Sequence, residues 1–127
     1  MITMTRAINT APTEAQEQDA LFAWAVYQEG RYPELTLMYH ISNEGKRNPR
    51  TAKRQGIKSG VPDICLPVPR GAYHGLYLEL KRTQGGRVSE AQQRWIYALQ
   101  GQGYCAAICY GWEEAAKEIE RYLKGDM

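Results

Sequence analysis

Two short apolar segments decide the fold: Gly60-Val61-Pro62-Asp63-Ile64-Cys65-Leu66, and Leu76-Tyr77-Leu78-Glu79-Leu80-Lys81. Both are typical of buried β-strands, yet each carries a carboxylate, and the second also carries a lysine. Because side chains alternate between the two faces of a strand, Glu79 and Lys81 share one face and Leu80 points to the other. Core packing gives no reason to place an acid and an amine together. We therefore regard Asp63, Glu79 and Lys81 as candidate site residues.

Carboxylates on neighbouring strands are suited to binding a hard divalent cation. Mg²⁺ is commonly held by one or two protein carboxylates, with waters and substrate oxygens completing its shell. Asp63 and Glu79 could hold such an ion, with the Leu80 carbonyl in reach and Lys81 beside it. A site of this kind can hydrolyse a phosphodiester. The alternative is that Glu79 and Lys81 are a same-face pair on a half-exposed strand, with Asp63 a turn residue.

The distribution of charge indicates a phosphate-bearing partner. The chain has 127 residues, enough for one domain, and a net charge of only +2. Between Glu44 and Gly60, however, six cations accompany a single acid. We predict a DNA-binding surface there, formed by Asn43, Lys46, Arg47, Arg50, Lys53, Arg54, Lys58 and Ser59. The alternative is an ordinary solvated face. No motif resembles a base reader, so we expect recognition of backbone and shape.

The cysteines and the hydropathy pattern indicate a cytoplasmic location. Cys65, Cys105 and Cys109 are an odd number set in apolar segments, typical of buried thiols in a reducing compartment. They lack the paired spacing of a zinc site. The sequence shows neither an apolar stretch of membrane-spanning length nor a signal-peptide pattern.

The N-terminal half is predicted to contain two helices and a strand. Residues 1–11 are expected to form a flexible arm, followed by a helix with Thr13 as N-cap that ends before Gly30. A helical wheel places Glu14 near the centre of the apolar face and Glu17 to one side. Alternating residues predict a strand over 35–41. Asn48 is expected to cap a short helix that puts its cations on one face: Arg50, Lys53 and Arg54.

The C-terminal half completes a mixed sheet. The two organising strands are joined by a proline-containing connection that suits a hairpin. Ser89 and Gln92 predict a capping box for a helix whose inward side carries Trp95, Ile96 and Leu99. A buried strand over 104–110 and a final amphipathic helix after Gly111 follow. The predicted order α-β-α-β-β-α-β-α is an α/β fold with helices on both faces of the sheet.

These residues resemble a known family. Pro62-Asp63 followed by Glu79-Leu80-Lys81 is similar to the PD-(D/E)xK nuclease signature. The surrounding sequence resembles the VRR-NUC branch of that superfamily. The matching segments are Lys58 to Asp63, Leu78 to Lys81, Ser89-x-x-Gln92-x-x-Trp95, and Gly103-Tyr104. The resemblance covers residues 12–127 as a single domain and implies a restriction-endonuclease-like core. Small stand-alone members of this branch are often phage-encoded.

The resemblance also implies roles for individual residues. Asp63 and Glu79 would be metal ligands, together with the Leu80 carbonyl, and Lys81 would be the catalytic lysine. The family's first-helix acid matches Glu14 better than Glu17, and Glu14 would join the catalytic and metal-binding set. Alternatively, Glu14 only complements the helix dipole. The family's late glutamine matches Gln92, for which a capping role is an equal alternative.

The family resemblance implies a specific activity. We expect a nuclease that uses Mg²⁺, or Mn²⁺ in its place, and cuts structured DNA. Compact members resemble homodimeric Holliday-junction resolvases, so a homodimer acting on four-way junctions is the main hypothesis. The alternatives on the same fold are a non-catalytic DNA-binding protein and a nicking enzyme with sequence preference. If phage-encoded, the protein would act in the cytoplasm of a bacterial host.

Overall fold

A four-stranded mixed sheet forms the centre of the fold. The structure is a computed structural model that describes residues 10–42 and 48–127. The strands lie in sequence order, β1-β2-β3-β4. β1–β2 and β2–β3 pair antiparallel, and β3–β4 pair parallel. The strands are β1 (Tyr39–His40), β2 (Ile64–Leu66), β3 (Leu76–Lys81) and β4 (Cys105–Tyr110).

Helices cover the sheet on two sides. They are α1 (Glu14–Tyr27), α2 (Pro49–Arg54), α3 (Glu90–Gly101) and α4 (Trp112–Leu123). α1 and α4 pack on each other and on β3, whereas α3 packs on β4. Ile96, the buried residue of α3, lies outside the main core cluster, as expected for a helix on the other face. Within the described ranges, no helix is long and apolar enough to cross a membrane.

The helix boundaries follow the capping chemistry predicted from the sequence. The Thr13 hydroxyl accepts the Gln16 N–H, and the Gln16 side chain accepts the Thr13 N–H, so both halves of the capping box at α1 are present. Ser89 and Gln92 repeat the arrangement at α3. Asn48 caps α2, where its side chain accepts the Arg50 N–H. The three predicted N-termini are confirmed.

The main core lies between β3 and the α1–α4 pair. Leu76, Leu78 and Leu80 are fully buried along one face of β3, as the alternation predicts. Tyr122 of α4 is also fully buried, and its hydroxyl donates to the carbonyl of Val68. The hydroxyl is the polar atom of the Tyr122 side chain, and this hydrogen bond satisfies it inside the core. The three cysteines are free and buried, as expected.

The strand predicted over 35–41 is mostly wrong. Pro33–Leu37 form a 3₁₀ helix, and only Tyr39 and His40 are in a strand. Pro33 starts the 3₁₀ helix, and the Thr36 hydroxyl donates to the Pro33 carbonyl. Leu35 is buried and Leu37 is exposed, so the apparent alternation came from a turn of helix.

Both edge strands of the sheet have features that limit pairing with a further strand. β1 is only two residues long. At the opposite edge, the Gln100 side chain of α3 donates through Nε2 to the Ala106 carbonyl of β4, at 2.9 Å. A side chain therefore occupies a main-chain acceptor of β4.

Candidate active site

The register of β2 and β3 places the two candidate carboxylates opposite each other. Ile64 pairs with Leu78, so the residue before Ile64 faces the residue after Leu78. Asp63 therefore lies across from Glu79 at the point where β2 begins. Lys81 lies two residues after Glu79 in β3 and therefore on the same face of the strand.

Asp63 is held in place from both neighbouring strands. Its Oδ2 accepts the backbone N–H of Leu80 at 3.1 Å, and its carbonyl oxygen accepts the N–H of Ile41. The same carbonyl lies 3.0 Å from Nδ1 of His40. These contacts fix both the backbone and the side chain of Asp63. The sequence pattern placed residues 40 and 41 in a strand but did not reveal their contacts with Asp63, because only the folded sheet brings β1 next to β2.

Glu79 is the most buried acid of the site. Its side chain is 1% exposed, and its Oε1 has no hydrogen-bond partner among the described residues. The pKa of Glu79 is raised from 4.5 to about 9, mainly by burial and then by the adjacent Asp63 carboxyl. The charge of Lys81 opposes the shift, and that of Glu14 adds to it. A buried carboxyl oxygen without a partner is costly unless a ligand completes it.

Lys81 is almost enclosed beside Glu79. Its residue is 6% exposed, and its carbonyl accepts the N–H of Gly111 at 2.8 Å. The loop after β3 folds back over it: a Cβ built on Gly86 would come 3.0 Å from the Cβ of Lys81. Glycine at this position leaves the space that the lysine stem occupies. The stem of Lys81 is thereby enclosed, and the charge of its ammonium acts to lower the pKa of Glu79.

The helical wheel assigned the two α1 acids to the wrong faces. Glu14 is exposed, and Glu17 is 3% exposed. The buried stripe of α1 is Glu17, Leu21 and Ala25, spaced by four residues. Polar Glu17 was assumed to avoid this stripe, but its carboxylate has a partner there. Glu17 Oε1 accepts the N–H of Trp112 at the start of α4.

The two acids therefore have different surroundings. Glu17 contributes a negative charge and an acceptor at a helix N-terminus, which is a stabilising arrangement. Glu14 carries a charge that reaches Glu79 and raises its pKa. The assignment of Glu14 to the catalytic and metal-binding set stays a prediction, and its position near Glu79 supports it. The reason first given for it, an inward orientation, is wrong.

Gln92 caps α3 and also lines the cavity that contains Asp63. Its Oε1 accepts the Ser89 N–H and completes the capping box of α3. Gln92 also lines a cavity of about 420 Å³ together with Asp63, Lys53 and Lys58. The capping role is present in the structure, whereas a catalytic role stays a prediction.

The predicted DNA-binding residues lie beside this cavity where they are described. α2 buries none of its residues, and its cations border a surface groove of about 740 Å³: Arg50, Lys53 and Arg54. Lys53 lines both the groove and the cavity that contains Asp63. Lys58 and Ser59 line the cavity. Three further predicted residues lie outside the described ranges: Asn43, Lys46 and Arg47.

The donor set fits Mg²⁺ or Mn²⁺ rather than a metal that needs nitrogen or sulfur ligands. Among the described residues there is no group of three or more His, Cys, Asp or Glu arranged to hold an ion. Asp63 and Glu79, however, place two carboxyl groups together, and Glu79 Oε1 has no partner. Two carboxylates are enough for Mg²⁺, which retains several waters. The residues therefore fit such an ion.

The comparisons with known proteins agree with this arrangement. The family model of the VRR-NUC domain matches residues 7–113. The chain belongs to the VRR-NUC family. A solved structure named as a VRR_NUC domain protein has 30% sequence identity to the chain and a TM-score of 0.79, over 91% of both chains. No curated protein matches the chain.

Membership of the VRR-NUC family confirms the predicted fold class. The mixed sheet with flanking helices is the PD-(D/E)xK-like α/β architecture. The family implies a nuclease-type function in DNA processing. The fold brings Asp63, Glu79 and Lys81, the residues predicted to form the signature, to one end of β2 and β3.

Proposed function

We propose that this VRR-NUC protein is a metal-dependent, structure-selective DNA endonuclease that resolves four-way junctions as a homodimer. The observation that carries the proposal is the pairing of Asp63 with Glu79 beside Lys81. Among the residues that the structure describes, the buried Oε1 of Glu79 has no hydrogen-bond partner. An acid pair and an amine confined at the end of two core strands cost stability. Catalysis on a phosphodiester accounts for that cost.

Asp63 and Glu79 would hold Mg²⁺ or Mn²⁺, with the Leu80 carbonyl as a further candidate ligand and Glu14 as an outer acid. When bound, the ion would supply charge stabilisation and activate water for in-line attack on phosphorus. The Leu80 N–H fixes Asp63 Oδ2 in place, so one carboxylate is already oriented. A cation next to Glu79 would favour its ionised form and offset the effect of burial.

Lys81 would stabilise the developing charge on the phosphate or orient the attacking water. Lys81 is 6% exposed and its Cβ lies against Gly86, so its side chain has little freedom left to lose on binding. A fixed cation in a site with little water is worth more than an exposed one. Gln92 lines the same cavity and could position the substrate through its amide.

The described cations favour recognition of DNA backbone rather than sequence. The exposed side chains of α2 border a groove, and Lys53 lines both this groove and the active-site cavity. Phosphate contacts of this kind position DNA without reading bases. The groove is thus a path along which a strand could approach Asp63.

The dimer follows from the number of cuts that a junction needs. One chain carries one site, and resolution of a four-way junction takes two symmetric cuts. Two-fold pairing is the commonest oligomer symmetry, and it would place one site at each of two strands. Light scattering of the protein, free and bound to a junction, tests this part. A monomer in both states would contradict it.

A panel of labelled DNAs tests the activity itself. We expect cleavage of four-way junctions in Mg²⁺ in preference to flaps, single strands and linear duplex. Asp63→Ala and Glu79→Ala should abolish cleavage and retain DNA binding, because the exposed cations of α2 remain. Wild-type cleavage by either folded variant would refute the proposed site. Cleavage of duplex at one sequence would favour the nicking alternative, and binding without cleavage would favour the non-catalytic one.

A further inference from the structure

Trp95 lies in a surface cavity next to the active site, not in the packed core. The sequence predicted an inward position for it on α3, together with Ile96 and Leu99. Ile96 is buried, but Trp95 is only half-buried and is absent from the side chains that pack on the main core of the described residues. It lines a cavity of about 240 Å³ instead.

The cavity has an apolar floor and a polar rim. Ala91, Trp95 and Ala98 supply the floor along one side of α3, while Ser59 and Arg94 form the rim. Arg94 is exposed, and its contact with Glu90 is a long surface ion pair of 3.8 Å. Such a pair holds the guanidinium weakly, so Arg94 is available to a ligand. A flat aromatic ring with an adjacent cation is a suitable receptor for a nucleobase.

Ser59 connects this cavity with the active site. It lines both the Trp95 cavity and the larger cavity that contains Asp63. Gly60, which follows Ser59, has φ +90°, and a Cβ there would lie 2.5 Å from the Ala91 carbonyl carbon. The segment around Gly60 is therefore pressed directly on α3. A DNA strand with a phosphate near Asp63 would have the Trp95 cavity on the other side of Ser59.

We propose that the Trp95 cavity receives an unpaired base of the DNA substrate and so supplies part of the structure selectivity. This inference rests on the proposed nuclease function and adds a feature of its substrate: a nucleotide at the branch point that leaves its base pair beside the scissile phosphate. The charges agree, since Lys53 and Lys58 line the path that the phosphates of that strand would take. A fully paired duplex keeps its bases stacked and cannot place one in the cavity.

The test compares binding to three DNAs of equal length in the presence of a chelator, so that no cleavage occurs. They are a linear duplex, a branched duplex with unpaired nucleotides at the branch, and the same branched DNA with abasic residues at those positions. Wild-type protein should bind the unpaired bases roughly tenfold more tightly than the abasic DNA. Trp95→Ala should lose this difference and leave the other two affinities unchanged.

Matched variants separate stacking from damage to the fold. Tyr97→Ala removes another aromatic ring of α3 that is 63% exposed and does not line the cavity, so it should behave as wild type. Trp95→Phe should keep part of the preference, because it retains an aromatic face. 2-Aminopurine at the unpaired position should be quenched by the wild-type protein, which gives a readout independent of any variant.

Equal binding of the base-containing and abasic DNAs by wild-type protein would overturn the inference, as would an equal loss for all three DNAs in Trp95→Ala. These outcomes are independent of the proposed activity. Base-dependent binding without metal-dependent cleavage would refute the nuclease and leave the pocket in place. Cleavage of junctions without base-dependent binding would refute the base pocket and support the nuclease.

Discussion

Glu17 and Glu14 lie one turn apart on α1, and the structure predicts opposite consequences of their removal. Glu17 is buried and accepts the Trp112 N–H at the start of α4, at 3.3 Å. Glu17→Ala removes a hydrogen bond to an ionisable group, worth about 1.5–3 kcal/mol. It also removes a charge at a helix N-terminus, worth about 0.3–1 kcal/mol. We expect a loss of about 2–3 kcal/mol in the free energy of unfolding.

This loss should be visible in thermal unfolding followed by circular dichroism. For a domain of this size it corresponds to a fall in Tm of roughly 10 °C. Glu17→Gln keeps an acceptor oxygen and the shape of the side chain, so it should lose about 1 kcal/mol. Glu14→Ala alters an exposed position and should change stability by less than about 1 kcal/mol.

Cleavage rates of the same variants, measured well below every Tm, complete the comparison. Glu14→Ala should cleave slowly, because its charge acts on Glu79. Folded Glu17→Ala should retain most of its activity. A Glu17→Ala variant as stable as wild type would refute the structural role. A folded Glu17→Ala variant without activity, beside a fully active Glu14→Ala, would make Glu17 the catalytic acid.

Three further predictions concern the site and its surroundings. In metal-free protein, the folded state holds a proton on Glu79 between its ordinary pKa of 4.5 and its raised pKa of about 9, so stability falls by about 1.4 kcal/mol per pH unit as pH rises through that window. Glu79→Gln should remove this slope. The free energy of unfolding of both proteins can be measured by urea denaturation from pH 6 to 8, and the same pH dependence in both would contradict the burial argument. The charged groups that also act on Glu79 are Asp63, Lys81 and Glu14. Lys81→Ala should reduce turnover at least about 100-fold, and Lys81→Arg should not restore it, because a planar guanidinium and a compact ammonium fill a buried site differently. Full activity in the alanine variant would show that Lys81 takes no part in catalysis. A triple alanine variant of the α2 cations should weaken binding alike for all DNA sequences and flatten its salt dependence, and an unchanged salt slope would exclude the surface formed by Arg50, Lys53 and Arg54.

The parts of the fold that were predictable are those with a strong local signal. The alternation in β3 places Leu76, Leu78 and Leu80 in the core and Glu79 with Lys81 on the other face. Reciprocal capping boxes fix the starts of α1 and α3 to the residue. In each case neighbouring residues alone determine the outcome.

The errors arise where a distant partner decides. Glu17 is buried because the N-terminus of α4, 95 residues later, supplies a donor, and no helical wheel contains that information. The inward position predicted for Trp95 is met only in part, since Trp95 is half-buried and lines a cavity together with Ser59 of a distant segment. The strand predicted over 35–41, by contrast, is mostly wrong for a local reason. Pro33 begins a 3₁₀ helix that extends to Leu37, and the Thr36 hydroxyl donates to the Pro33 carbonyl within it.

The edges of the sheet restrict how two copies of the chain could join. A second chain that extended the sheet at β4 would compete with Gln100 for the Ala106 carbonyl. At the other edge, β1 offers only Tyr39 and His40 as a template, too short for a stable ladder between chains. Continuous sheets across an interface are therefore disfavoured at both ends. The proposed homodimer is expected to meet through side chains, so substitutions on its contact surface should tune assembly without disturbing the strands that hold the active site.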